Sequence, residues 1–346
     1  MSLKFAFLAC ALAALSLAVS RPACARESLR VVAWDGYADA DIVAEFERRF
    51  NADVEVTYVN SDDDLWDKIN GNNGGEYDVF AVNTAELQRY IDKRLSVAID
   101  INAIGNHARQ LPRFQHLEAI PGLVRDGKVY AIPYAYSEMG LIYNRREVKN
   151  IPQSMAEMWN PEYRGRVLAY NTSNHNFSIA GLLLGSGNPF RLSDAEFSLA
   201  AKQLVKLRRN VLTFYTSPEE AVKLFSGNKI ALVFGNYGTQ QVKALKEAGA
   251  DIGYVIPREG ALAWLDCWAV SRGAKNRKLA EMWINYMLEK KASDRLTAGH
   301  GLANTVTLFP TSRRNDKIIW LEPVENPAKR KALWDRIMSG ETLAAF

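Results

Sequence analysis

From Leu29 onward, short apolar runs alternate with amphipathic stretches, and this rhythm constrains the fold more than any other feature of the chain. Leu29 to Trp34 reads as a buried strand, after which Ile42, Val43, Phe46 and Phe50 fall on one helical stripe. Residues 54–59 alternate as a strand does. Residues 62–70 read as a helix begun by aspartates and ended at Gly71. Residues 77–82 form a third strand, continued by Asn83-Thr84, which suit a helix N-cap. Repeated strand–helix–strand units imply a largely parallel sheet. Further strands are expected at 130–134, 139–144, 167–170, 230–234, 252–256 and 269–270. Helices are expected at 154–158, 177–184, 218–227, 236–245 and 281–288. The segment Ala135–Glu138 reads as a crossover between lobes.

Ligands of open α/β sheets sit beyond the carboxyl ends of strands. The first strand ends in Trp34-Asp35-Gly36-Tyr37, two aromatics flanking a carboxylate and a glycine. Aromatic faces attract a cation and a carboxylate neutralises it, so this turn suits a small amine.

Residues 1–25 have the three parts of a cleavable export signal: Lys4, an apolar run from Phe5 to Val19, and the small-residue site Ala23-Cys24-Ala25. Cleavage after Ala25 leaves Cys267 as the one cysteine, read as a small buried hydrophobe. The formal charge of +4 falls to about +2 when Lys4 and Arg21 leave, which is no nucleic-acid signature. The remaining length implies two lobes. No Gly-x-Ser-x-Gly elbow, Walker loop or His-Glu-x-x-His motif occurs, and nothing calls for a cofactor.

Several collinear segments together carry a family resemblance. They are Trp34-Asp35-Gly36-Tyr37, Tyr77-Asp78-Val79-Phe80 with Asn83-Thr84, residues 130–134 with 140–144, residues 159–165, residues 225–232, and Trp264-Leu265-Asp266. In this order the chain resembles the spermidine/putrescine-binding family of periplasmic solute-binding proteins that serve ABC importers. The resemblance implies a type II-like α/β fold of two lobes, with a ligand cleft between them and hinge crossovers. It implies lobe one from 26–134 plus about 257–302, and lobe two from 135–256 plus about 303–346. It also implies a periplasmic, monomeric protein that hands a small amine to permease subunits.

Carried over residue by residue, the resemblance implies ligand contacts from Trp34, Asp35, Tyr37, Asn83, Asn236, Tyr237, Trp264 and Asp266. Asp266 would hold an ammonium and Trp264 its alkyl stem. Ala85 stands where the family has an aromatic, Phe234 where it has a tryptophan, and His300 where it has a tyrosine. The departure follows Tyr170. The polyamine binders place acidic residues there, and this chain has Asn171-Thr172-Ser173-Asn174-His175. Thr172 and Ser173 at a helix N-terminus suit an anion, although they would equally cap the helix. A zwitterion such as 2-aminoethylphosphonate then becomes an alternative to a polyamine, with Glu138 a further partner for its ammonium. His175 and His300 read as structural or solvent-facing, and Asp62-Asp63-Asp64 as a solvated helix start. Two other readings are a ferric-ion binder of similar fold, which would want paired tyrosines that the chain lacks, and an exported enzyme on the same scaffold.

Overall fold

The computed structural model describes residues 26–59, 62–308, 316–342 and 344. The expected export signal, residues 1–25, lies outside the described residues.

The opening alternation folds as its periodicity dictates. Strand β1 (Glu27–Trp34), helix α1 (Ala40–Phe50), β2 (Ala52–Val59), α2 (Asp62–Asn70), β3 (Val79–Asn83) and α3 (Thr84–Asp92) follow one another. β1 lies between β2 and β3 and runs parallel to both. Ile42 and Phe46 bury one face of α1, and Asn51 ends that helix in the left-handed conformation at φ 50°. Asn83 caps α3 by accepting from the Glu86 N–H. A buried pair fastens this core. Asp78, fully buried, accepts from the Arg30 backbone and guanidinium and from the Lys275 N–H.

Short elements come next: β4 (Ser96–Val97), α4 (Pro112–Gln115) and the hairpin of β5 (Val124–Arg125) and β6 (Lys128–Val129). β7 (Ala131–Glu138) is buried along its whole length. The chain then leaves for a second sheet. That sheet holds β8 (Leu141–Asn144), β9 (Val167–Tyr170), β10 (Thr213–Tyr215), β11 (Leu232–Phe234) and β12 (Ile252–Val255), in the order β10-β9-β11-β8-β12. Helices α5 (Ser173–Leu183), α6 (Asp194–Asn210), α7 (Pro218–Gly227) and α8 (Gly238–Glu247) accompany it. β13 (Ala261–Ser271) returns, followed by α9 (Arg277–Met287), α10 (Lys290–His300), β14 (Ala303–Asn304), β15 (Ile318–Trp320) and α11 (Pro327–Met338). The first sheet runs β14-β7-β13-β3-β1-β2, with β4 and β15 also paired to β13.

This is a two-lobed α/β fold, and each sheet has its own hydrophobic core. Phe46, Phe80, Trp268 and Trp283 anchor one core; Phe177, Phe197, Leu204 and Trp334 anchor the other. Trp264, on the returning strand, packs against both.

Three expectations change. The sheets are mixed rather than largely parallel, because β7 and β13, which leave and re-enter the first sheet, pair antiparallel with each other, and β13 is antiparallel to β3. Residues 135–138 belong to β7, so the crossing comes later, at Met139-Gly140. The chain after 303 does not go straight to the second lobe: β14 pairs with β7 and β15 with β13, and only α11 then packs on the second core. The 17-residue α6 has no counterpart among the helices expected from the sequence, although a Ser193/Glu196 capping box marks its start.

Candidate functional site

The carboxyl ends of β1 and β3 face the second sheet across a cleft of about 470 Å³. Trp34 closes β1, and a tight turn follows in which the Tyr37 N–H donates to the Trp34 carbonyl at 3.1 Å. Gly36 makes that turn possible. Its φ is +84°, and a Cβ there would lie 2.7 Å from the His300 ring. His300 itself is held on Asp39 at 3.0 Å, outside the cleft lining. Tyr37 then turns inward, 3% exposed, against Tyr134 and Trp268.

Asp266 sits on β13 directly opposite Asn83 of β3 and Ala135 of β7. Pairing with β7 slips between Asp266 and Cys267, where Pro133 has no N–H to offer the ladder. Such a bulge bends the strand and re-aims its side chains. The Tyr37 hydroxyl donates to Asp266 Oδ2 at 2.5 Å. Burial pushes the Asp266 carboxyl up to about 7, the Tyr37 hydrogen bond pulls against this, and the nearby Asp62 charge adds to the rise.

Across the cleft, Asn236 is buried beside the start of α8, and His175 lies 2.8 Å from it, Nδ1 to Oδ1. Burial pushes the His175 imidazole down, Asn236 opposes this, and the Arg330 charge reinforces it. Burial thus disfavours the charged form of the ring, and the Asn236 contact holds its orientation. The Tyr237 hydroxyl donates to the Thr216 carbonyl at 2.8 Å and packs edge-on against Tyr170.

The structure gathers Trp34, Asp35, Tyr37 and Asn83 from the first lobe on one wall of this cleft. Asn236 and Tyr237, with Trp264 and Asp266 of the returning strand, complete it. Sequence reasoning missed Asp62, His175, Glu219 and Gln240, which also line the cleft. Asp62 was hidden in an acidic run that looks like a solvated helix start. It faces the cleft because its Oδ1 accepts from the Asn83 amide at 2.9 Å.

Thr172 and Ser173 do not line the cleft. α5 begins at Ser173, and Thr172 makes no side-chain capping bond. Successive helical side chains point roughly 100° apart, and it is Asn174 and His175 that reach the binding space. Glu138 is also outside the lining. It is buried in β7, where burial pushes its carboxyl up despite its own backbone N–H and Arg113. Phe234 is wholly buried in the second core.

The cleft is chemically one-sided. Asp35, Asp62, Glu219 and Asp266 line it, and no lysine or arginine does so among the described residues. Trp34, Tyr37, Tyr237 and Trp264 supply flat aromatic surface, and Val59, Met139 and Leu302 supply apolar surface.

Comparison with known proteins agrees with this architecture. Residues 41–318 match the profile of the bacterial extracellular solute-binding protein family. The chain is 28% identical over 312 residues to spermidine/putrescine-binding periplasmic protein 1 of Haemophilus influenzae, covering 88% of this chain and 81% of that protein. It is 25% identical over 294 residues to the spermidine/putrescine-binding periplasmic protein of Escherichia coli, covering 83% and 81%. Among solved structures, the spermidine/putrescine ABC transporter substrate-binding protein PotD of Streptococcus pneumoniae superposes with a TM-score of 0.76 at 19% identity. That superposition covers 90% of this chain and 99% of the other.

Proposed function

The chain belongs to the bacterial extracellular solute-binding proteins, which makes it a binding protein and not an enzyme, and we propose that it captures an organic cation of the di- or polyamine class for an ABC importer. One observation carries the choice of ligand: Asp266, buried and held by Tyr37, belongs to a cleft with four carboxylates and no lysine or arginine among the described residues. A primary ammonium there would pair with Asp266 and relieve its desolvation, and the aromatic faces of Trp34 and Trp264 would cover the methylene stem. The names of the relatives, which specify spermidine and putrescine, support the same class.

The zwitterion reading, with 2-aminoethylphosphonate as its example, loses its anion cradle because Thr172 and Ser173 lie outside the cleft. An anionic head group would instead meet Asp35, Asp62 or Glu219 without a compensating cation.

In this reading the protein works in the periplasm as a monomer and delivers its amine to permease subunits. The lobes would divide near Met139-Gly140 and near 256–260, and ligand bridging Asp266 and the Asn236–Tyr237 side would favour the closed form. Titration calorimetry with putrescine, spermidine, 2-aminoethylphosphonate and glutamate tests it. Binding of at least one amine and neither zwitterion is expected; tight 2-aminoethylphosphonate binding without amine binding refutes it.

A further inference from the structure

In the second sheet β9, β10 and β11 run parallel, and the carboxyl ends of β10 and β11 lead into the Glu219 and Asn236–Tyr237 segments of the cleft. Their amino ends therefore form the opposite edge of the lobe, where β8 ends and β12 begins. Backbone hydrogen bonds tie the turns of that edge together. The Arg145 N–H donates to the Asp251 carbonyl at 3.0 Å, Gly165 to Asn210 at 2.8 Å, and Leu212 to Val167 at 2.8 Å.

These turns are strongly basic. Residues 145–149, 162–166, 209–212, 228–231 and 248–251 hold seven basic residues against three acidic ones, in a chain whose whole formal charge is only +4. Two of the three acids are occupied, Asp251 by Arg145 at 3.2 Å and Glu147 by Arg166 at 2.9 Å. Arg146, Lys149, Arg164, Arg209 and Lys229 are exposed and make no ion pair among the described residues. Glu162 alone opposes them. Apolar surface lies beside this charge. Leu212 is 41% exposed, and Met338, 38% exposed, ends α11 where Arg208 of the last turn of α6 donates to the Ile337 carbonyl at 2.6 Å. Like charges gathered on one edge repel, and exposed apolar side chains are costly in water. Both costs fall at a surface that is anionic outside and apolar beneath, where long basic side chains reach phosphate and apolar neighbours enter below it.

We infer that this edge of the second lobe docks on an anionic phospholipid surface. Because the edge points away from the cleft, a docked molecule keeps its acidic cleft open to the solution. The docking does not depend on which solute the cleft holds.

Flotation of the mature chain with lipid vesicles tests this at about 0.1 M salt, where exposed charges act over about 10 Å. Binding is expected to mixed phosphatidylglycerol and phosphatidylcholine vesicles, and none to phosphatidylcholine alone. The combined variant Arg146→Gln, Lys149→Gln, Arg164→Gln is expected to lower the partition coefficient about a hundredfold, since each basic residue near such a surface contributes about fivefold. Its thermal midpoint and its calorimetric response to putrescine and spermidine should match those of the parent protein, because these side chains are exposed and outside the cleft lining. A parent protein that does not float with anionic vesicles, or floats equally with neutral ones, overturns the docking edge. So does a folded variant whose partition stays within about twofold of the parent. Retention of the parent on a short DNA duplex but not on the vesicles also overturns it, and would make the edge a nucleic-acid face.

Discussion

At the floor of the cleft, Asp266 is ionised at a cost, and that cost gives the site its pH dependence. Its ordinary carboxyl value of 3.8 is raised to about 7 by burial. The folded state therefore holds this proton more tightly than the unfolded chain. The stability that follows is complete below about pH 4 and is lost as pH rises through about 7. An ammonium reverses the preference, because it favours the carboxylate and expels the proton. Amine affinity is thus expected to rise with pH up to about 7, by as much as about tenfold per unit, and then to level off. Calorimetry in buffers of different ionisation enthalpy should show proton release below that point and none well above it. Asp266→Asn should weaken amine binding by roughly 2–5 kcal/mol, while raising the thermal midpoint of the ligand-free protein at pH 8. A variant that lost both binding and stability would mean that Asp266 mainly holds the fold together.

The strand β7 and helix α8 meet where the chain passes between lobes, and their contact leaves no room for a side chain. Gly238 has φ +52°, and a Cβ there would collide with Ser137 Oγ and lie 2.5 Å from the Glu138 carbonyl oxygen. The same Ser137 hydroxyl accepts from the Thr239 N–H at 3.1 Å. Tyr254 clamps the crossing from the second sheet, donating to the Glu138 carbonyl and accepting from the Gly140 N–H. Gly238→Ala is expected to cost about 1–3 kcal/mol in backbone strain alone, measurable as a lower urea midpoint. Much at this scale was legible in the sequence. The boundaries of 62–70 and 167–170 are legible in the sequence, because Gly71 stops the helix and Val167-Leu168-Ala169 is a short apolar run between polar neighbours. The long β13 was seen only as its last residues. A strand buried on both faces loses the alternation that betrays an exposed one, and Trp264 to Ser271 has none.

For the whole molecule, the chain passes between the two halves more often than a simple clamp needs. β7 leads out, β13 leads back, and the segment from β15 to α11 crosses again. Arg330 secures that last passage. Fully buried, its guanidinium donates to Glu325, to Ser178 Oγ and to the carbonyls of Asn174 and Pro189. The start of α5, which carries His175 into the cleft, is therefore held by the C-terminal helix. Amine at one hundred times its dissociation constant should stabilise the protein by about 2.7 kcal/mol. If the lobes close on the ligand, small-angle scattering should show a smaller radius of gyration with putrescine or spermidine, and no change with Asp266→Asn. An unchanged radius in the saturated parent protein would count against closure.

The sequence alone determined the α/β alternation, the aromatic–carboxylate turn at the end of the first strand and the proximity of Trp264 to Asp266 along one strand, because period, turn chemistry and residue type act over a few positions. Eight candidate residues from four distant segments do line one cleft. Only the tertiary structure decided that Asp62 faces this cleft, that Thr172 and Ser173 do not, and that Asp266 is buried enough to titrate near neutrality. Those outcomes depend on helix rotation, on a one-residue slip between β7 and β13, and on the charge balance of a cleft closed by both lobes. Desolvation and through-space charge are properties of the assembled surroundings, and no local pattern of residues encodes them.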